Sequence, residues 1–250
     1  MEYGICHLSI VPIRSLPEDD SEMVSQLLYG ECFKVLERRK KWSRIRVDHD
    51  KQEGWVSNKQ VTLISEEDYH KTTTTELPKF SADLVSHVCT QNGTLLPILL
   101  GSVVSALHLL NHTFEGGTME GKHPKNTLVD TALLYVNAPY QWGGKTPFGI
   151  DSSGLAQMVY KINGYKLNRT AEEQSKQGEP LSFIEESEPG DLAFFDNKEG
   201  VIDHVGIILK DNYIVHAHGH VRIDRLDHTG IFNMQEKLYS HQLRVIKKII

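Results

Sequence analysis

Pro139-Tyr140-Gln141-Trp142-Gly143-Gly144-Lys145-Thr146-Pro147-Phe148-Gly149-Ile150-Asp151-Ser152-Ser153-Gly154-Leu155 passes from a crowded aromatic and glycine loop into a helix. Leu155, Met158, Val159 and Ile162 fall at i, i+3, i+4 and i+7, one face of a helix. Asn163-Gly164 is a stop signal of the C-cap kind. Asp151 or Ser152 suits the N-cap, so Ser152 and Ser153 belong to the first turn of a buried helix. Unpaired backbone N–H groups and the positive end of the helix dipole point at that turn, where a nucleophile is well placed.

Downstream, Arg169-Thr170-Ala171-Glu172-Glu173-Gln174 precedes Glu188-Pro189-Gly190-Asp191, after which come the apolar stretch Leu192–Phe195 and strand-like runs at 202–209, 213–217 and 220–224. A helix expected over Thr127–Val136 and the 152–162 helix, followed by an antiparallel set, argue an α+β domain over 124–250. His204 opens one strand with small Gly206 on its face, which leaves room for a neighbouring side chain, and His216 closes the next. His216, His218 and His220 also alternate as a metal set could, but Gly219 breaks the strand and no Cys or carboxylate completes the set, so no metal and no cofactor are expected.

Pro139-Tyr140-x-Trp142-Gly143-Gly144, Asp151-Ser152-Ser153-Gly154-Leu155, His204-Val205-Gly206 and Ile214-Val215-His216-Ala217, in that order, resemble the papain-like NlpC-type (NlpC/P60) cysteine peptidases of bacterial cell walls. The resemblance puts the nucleophile at position 152, the general base at His204 and its orienting partner at His216. The family has cysteine where this chain has Ser152. Three readings stay open: an engineered silencing change, a natural pseudoenzyme that binds without cleaving, or a working serine hydrolase. A thiol ionises near pH 8.5, and lower at a helix N-terminus beside histidine, whereas a hydroxyl is far harder to deprotonate.

The N-terminal half reads as all-β. Strand-like segments at 5–11, 32–38, 42–47 and 54–57, separated by turns and ending on Gly54-Trp55-Val56, resemble a bacterial SH3-like barrel over 1–64. Residues 65–78 are polar, with a threonine run, and suggest a linker. Short apolar runs at 84–89, 95–100, 103–109 and 112–114 suggest a second, degraded barrel over 79–123. The whole is then two small barrels ahead of the peptidase domain.

A formal charge of −6 over 250 residues, with no basic run longer than 38–41, argues against nucleic acid as a partner. The three cysteines are scattered and suggest free thiols. The apolar stretch 95–110 is too interrupted to span a bilayer and reads as paired core strands. No signal peptide is visible, so a bacterial cytoplasmic protein is expected, or a periplasmic or extracellular one if a signal was trimmed.

Relatives of this layout imply a substrate: murein stem peptides, cut between γ-D-glutamate and the diamino acid, with a free N-terminal L-alanine. The expected chain is a monomer that takes L-Ala-γ-D-Glu-diamino acid. By the same resemblance Asp151 meets the alanine ammonium, beside its N-cap role, with a second acid from the first barrel, Glu22 or Glu31. Tyr140 and Trp142 wall the pocket, Ser153 bonds substrate or the helix end, and Thr170 and Ala171 line the cleft. A non-catalytic murein-peptide binder is the alternative class; an amidase or acyltransferase is the alternative within enzymes.

Overall fold

The structure, a computed structural model, describes residues 1–74 and 77–250. The chain divides into two compact units: Met1–Lys122 with Trp142–Pro147, and His123–Gln141 with Phe148–Ile250.

In the first unit seven strands form one sheet: β1 (Glu2–Ile5), β2 (Ile10–Arg14), β3 (Met23–Leu28), β4 (Cys32–Arg38), β5 (Trp42–Val47), β6 (Glu53–Ser57) and β7 (Thr62–Ile64). They run β3-β2-β6-β5-β4-β1-β7 and curl around a core of Val11, Ile13, Leu27, Phe33, Val35, Ile45, Val47 and Val56. The two-residue side-chain period explains β5: Ser43, Ile45 and Val47 are buried, while Arg44 and Arg46 face out. There Glu53 of β6 receives both guanidinium groups, at 2.6 and 2.5 Å. Gly30, at φ +78°, turns the chain between β3 and β4; a Cβ there would lie 2.0 Å from the carbonyl oxygen of Val103, so only glycine fits.

The segment expected to be a linker is helical over α1 (Glu66–Thr73). Ser65 accepts the N–H of Asp68 at 3.0 Å, and Glu66, Glu67 and Asp68 sit at the positive end of the dipole. Buried Tyr69 donates to Asp48 at 2.8 Å. Capping chemistry was the signal hidden in this polar run; its residues 75–76 lie outside the described residues. The strands β8 (Lys79–Ser81), β9 (Val85–Cys89) and β10 (Leu95–Leu99), the helix α2 (Leu107–Leu110), and β11 (Thr113–Phe114) and β12 (Thr118–Glu120) follow. Expected strand 103–109 is therefore a turn and the start of a helix. Gly101, at φ +81°, ends the β10 region, and Asn111, at φ 53°, caps α2 in the left-handed conformation.

Glu31 is buried in this unit rather than solvated. Its carboxylate accepts the Leu28 N–H at 2.8 Å and pairs with Lys145 Nζ at 3.2 Å, and both side chains are almost fully shielded from solvent. That corrects its candidacy for a substrate ammonium, since its charge is already matched. Removing one member of a buried pair strands the other charge, which costs about 3–5 kcal/mol. Lys145→Met should therefore lower unfolding free energy by about 3 kcal/mol in denaturant titrations. An unchanged midpoint would show that Glu31 is solvated after all.

The strand β13 (Lys145–Thr146) also belongs to the first unit. The second unit contains α3 (Lys125–Leu133), β14 (Gly149–Ile150), α4 (Ser152–Ile162) and α5 (Ala171–Gln174). It continues with β15 (Glu179–Leu181), β16 (Leu192–Asp196), β17 (Ile202–Ile208), β18 (Tyr213–His218), β19 (His220–Leu226), β20 (Gly230–Asn233) and β21 (Leu238–Lys248). The antiparallel order is β15-β21-β16-β17-β18-β19-β20, and β20 also pairs with β21, closing a ring. The buried helix α4 packs on β17 and β18, with α3 against α4 and α5 against α4 and β17. The second unit is α+β, the expected class, and follows in sequence a region that is mainly β with the short helices α1 and α2. The helix expected over 127–136 begins at Lys125 and ends at Leu133. Strands β20 and β21 were not anticipated.

Candidate active site

Asp151 is the N-cap of α4. Its Oδ1 accepts the Gly154 N–H at 2.6 Å, leaving Ser152 and Ser153 in the first turn, as the spacing predicts. Ser152 is 6% exposed. It stands at the end of a helix that packs directly on β17, the strand that carries His204.

His204 and His216 meet. Nε2 of His204 lies 2.9 Å from Nδ1 of His216. Gly206 faces His216 across the β17–β18 register, and a Cβ on it would come within 2.6 Å of the Ile214 side chain and 3.1 Å of the His216 Cβ. The glycine thus supplies the room that the sequence implies. Behind His216, its Nε2 lies 3.1 Å from Asp224 Oδ2, and Arg222 holds the same carboxylate at 2.6 and 3.1 Å. Asp224, on β19 opposite Ile214, was missed in the sequence reading. Its signal was the alternation Arg222-x-Asp224 on the strand after His216.

The direction of this relay follows from hydrogen inventory. Burial raises the Asp224 pKa, but hydrogen bonds from His216 and Arg222 outweigh it and hold the group at about 2, so it only accepts. His216 therefore donates from Nε2 and accepts at Nδ1. His204 must donate from Nε2, which leaves its Nδ1 as the unprotonated atom available to a nucleophile's proton. That tautomer is assigned from the network.

Burial, then His241, His216 and His218, push His204 well below the ordinary imidazole pKa. Burial also lowers His216, against the opposing pull of Asp224. Burial and the neighbouring His216 and His218 push His241 down to about 3. All three rings are neutral at neutral pH in this form. Unfolded histidines bind protons near pH 6.5 while these folded ones do not, so the unfolded state binds more protons as pH falls. Stability should be fully present above about pH 6.5 and decline steadily below it, each group adding up to about 1.4 kcal/mol per pH unit. Thermal midpoints between pH 7 and 4.5 check this; a flat profile would mean that the cluster is already protonated or open.

The nitrogen atoms of His204, His216 and His241 lie within 4.8 Å of one another. The rings of His204 and His241, however, are 3.9 Å apart and only 20° from parallel. Their lone pairs therefore lie in nearly parallel stacked planes, so an ion shared by both rings would sit out of the plane of at least one of them. The alternating set His216, His218 and His220 is split by Gly219, at φ +71°, which turns the β18–β19 hairpin.

The remaining candidates are placed as follows. Arg169 grips Asp151 with both terminal nitrogens, at 3.0 and 2.6 Å, and donates to Ser153 Oγ at 3.0 Å. The Asp151 carboxylate is thus engaged by a buried cation and a helix cap, and an ammonium would have to share it. Arg169 was not singled out from the sequence. Thr170 caps α5, accepting the Glu173 N–H at 3.2 Å, and Ala171 is buried. Tyr140 is 40% exposed in the second unit. In the first unit Trp142, 58% exposed, donates its indole N–H to Glu22 at 2.7 Å.

Residues 137–242 match the NlpC/P60 family, and residues 13–61 match the bacterial dipeptidyl-peptidase Sh3 domain. Dipeptidyl-peptidase 6 of Lysinibacillus sphaericus is 28% identical over 263 residues, covering 91% of this chain and 90% of that protein. A gamma-D-glutamyl-L-lysine dipeptidyl-peptidase of Bacillus subtilis (strain 168) is 24% identical over 258 residues, covering 92% and 82%. Among solved structures, an NlpC/P60 family protein from Bacillus cereus ATCC 10987 has the same fold, with a TM-score of 0.79 over 99% of both chains at 16% identity. Residues 137–242 thus form an NlpC/P60 domain and residues 13–61 a bacterial dipeptidyl-peptidase Sh3 domain, in a chain whose relatives named as dipeptidyl-peptidases align along most of its length.

Proposed function

We propose that this site is built to hydrolyse the bond between γ-D-glutamate and the diamino acid of murein stem peptides with a free N-terminal L-alanine, and that Ser152 silences it. The observation that carries the proposal is the hydrogen-bonded relay from Asp224 through His216 to His204, on the strand β17 against which α4 packs. The names of the relatives, dipeptidyl-peptidase 6 and gamma-D-glutamyl-L-lysine dipeptidyl-peptidase, support the substrate class.

With cysteine at 152, Nδ1 of His204 takes the thiol proton and the thiolate attacks the γ-carbonyl carbon. The oxyanion forms at the helix N-terminus, where the backbone N–H of residue 152 can donate to it. His204 then gives its proton to the leaving amine of the diamino acid as the C–N bond breaks. Water, deprotonated by His204, attacks the thioester and releases L-Ala-γ-D-Glu with the thiol restored. A hydroxyl at 152 offers the same shape without an accessible anion.

We further take residues 79–123 as a second, reduced SH3-like barrel. Its support is the sheet β10-β9-β11, whose Val88 and Ile98 join Val104 in a small core, together with the two-stranded sheet β12-β8. Ser152 itself favours one other reading, a murein-peptide binding module. The test is product identification. Ser152→Cys protein incubated with L-Ala-γ-D-Glu-diaminopimelate should yield L-Ala-D-Glu and free diaminopimelate, and N-acetylation should abolish this. Binding of the peptide without cleavage by the Ser152→Cys form would instead establish the module.

A further inference from the structure

We propose that His241 is a positioning residue for the base His204: its imidazole forms the wall against which the His204 ring is held. The proposal rests on the assignment of His204 as the base. His204 is enclosed by three rings from three strands. Phe195 of β16 lies 5.8 Å away, His216 of β18 meets it edge-on at 5.1 Å, and His241 of β21 stacks on its face at 3.9 Å. The hydrogen bond to His216 fixes one atom of the ring, Nε2, and leaves rotation about that contact free. A flat group stacked on the face restrains that rotation, and the closest ring to do so is His241.

The strand is shaped to present that group. Opposite β20, Ile231 faces His241 but the next residue, Phe232, faces Tyr239, so Ser240 is the extra residue of a bulge. One extra residue reverses which side chains point to which face, and this one precedes His241 directly. Ser240 Oγ lies 2.8 Å from His241 Nδ1, fixing the ring it introduces. Across the pair, a Cβ on Gly230 would lie 1.9 Å from the carbonyl oxygen of His241, so the glycine admits the close approach of the two strands here. The titratable groups around His241 are His204, His216 and His218, whose rings lie at 3.9, 5.6 and 4.9 Å. Asp224 pulls against them more weakly. Burial is the main cause that keeps His241 uncharged, so it stacks as a neutral ring and adds no positive charge beside the base.

The test compares His241→Ala and His241→Phe in the full chain by two readouts. Long-range nitrogen–proton spectra of the chain with Ser152 report the His204 tautomer. A single form protonated at Nε2 is expected in the parent and in His241→Phe, and averaged nitrogen shifts in His241→Ala. In Ser152→Cys protein, the pH profile of thiol alkylation reads ion-pair formation without any substrate. His241→Ala should slow alkylation at pH 6.5 about tenfold, as a thiol pKa raised by one unit would, with His241→Phe restoring most of the rate. Should His241→Ala fail to fold, His241→Leu replaces it, filling the space without a flat face. A fixed His204 tautomer and an unshifted profile in the Ala or Leu variant overturn the proposal. An ordinary thiol pKa at 152 in the parent, with His204 still fixed by His241, overturns the proposed activity and leaves the positioning role standing.

Discussion

Ser152→Cys is expected to raise kcat on L-Ala-γ-D-Glu-diaminopimelate by at least about 10³-fold, toward the ~10⁶ that the loss of a nucleophile costs in comparable hydrolases. The thiol is intrinsically nucleophilic and ionises near pH 8.5 before any help. At position 152 it would gain two kinds of help, the N-terminus of α4 and a buried imidazole whose Nδ1 is unprotonated. The neutral state of His204 in this chain is what a serine permits, since burial and the neighbouring histidines disfavour imidazolium and a hydroxyl supplies no compensating anion. A thiolate would supply that anion, so the base and the nucleophile would ionise as a pair. KM should change little, because one atom at the reacting centre alters the transition state more than ground-state binding. Equal turnover by both forms would make this a serine hydrolase.

Asp224→Asn, made in the Ser152→Cys form, should lower kcat by about 10²–10⁴-fold, the upper value being that seen when the carboxylate of a related triad is replaced by amide. The carboxylate dictates the tautomer of His216, which in turn dictates that of His204. An amide can donate as well as accept, so the relay can run backwards and place a proton on Nδ1 of His204, where it blocks the base. Arg222 also loses the negative charge it meets at 2.6 Å, keeping Asn233 at 3.0 Å, so some stability should go with the activity. Steady-state kinetics beside a thermal melt separates the two effects. An unchanged kcat would mean that His216 needs no orienting carboxylate.

The helix start at Asp151 and the strands at 32–38 and 42–47 were legible because each rests on short-range chemistry, whereas the pairing of His204 with His216 came from the family resemblance. A cap needs one oxygen three residues from an N–H, and a strand alternates by two; the β17–β18 hairpin then brings the two histidines together. Asp224, Arg169 and His241 were not legible. Asp224 approaches through the next strand of the ring, and Arg169 reaches Asp151 from a loop. His241 arrives on a polar, bulged strand whose period is broken at Ser240, the position that aims it. Glu31 was misjudged because its neutralising partner, Lys145, is far away in sequence. The helix α1 was hidden by a threonine run, although Ser65 and the three acids after it form an N-terminal signal.

Intact-protein mass spectrometry after rapid mixing with free-amine and N-acetylated L-Ala-γ-D-Glu-diaminopimelate tests whether residue 152 is the silenced nucleophile position. The Ser152→Cys form should carry a transient L-Ala-γ-D-Glu adduct on the new thiol with the free-amine peptide alone, and the chain with Ser152 should carry none. Hydrolysis by the cysteine form without any adduct at 152, or an adduct of equal yield on Ser152, would contradict it.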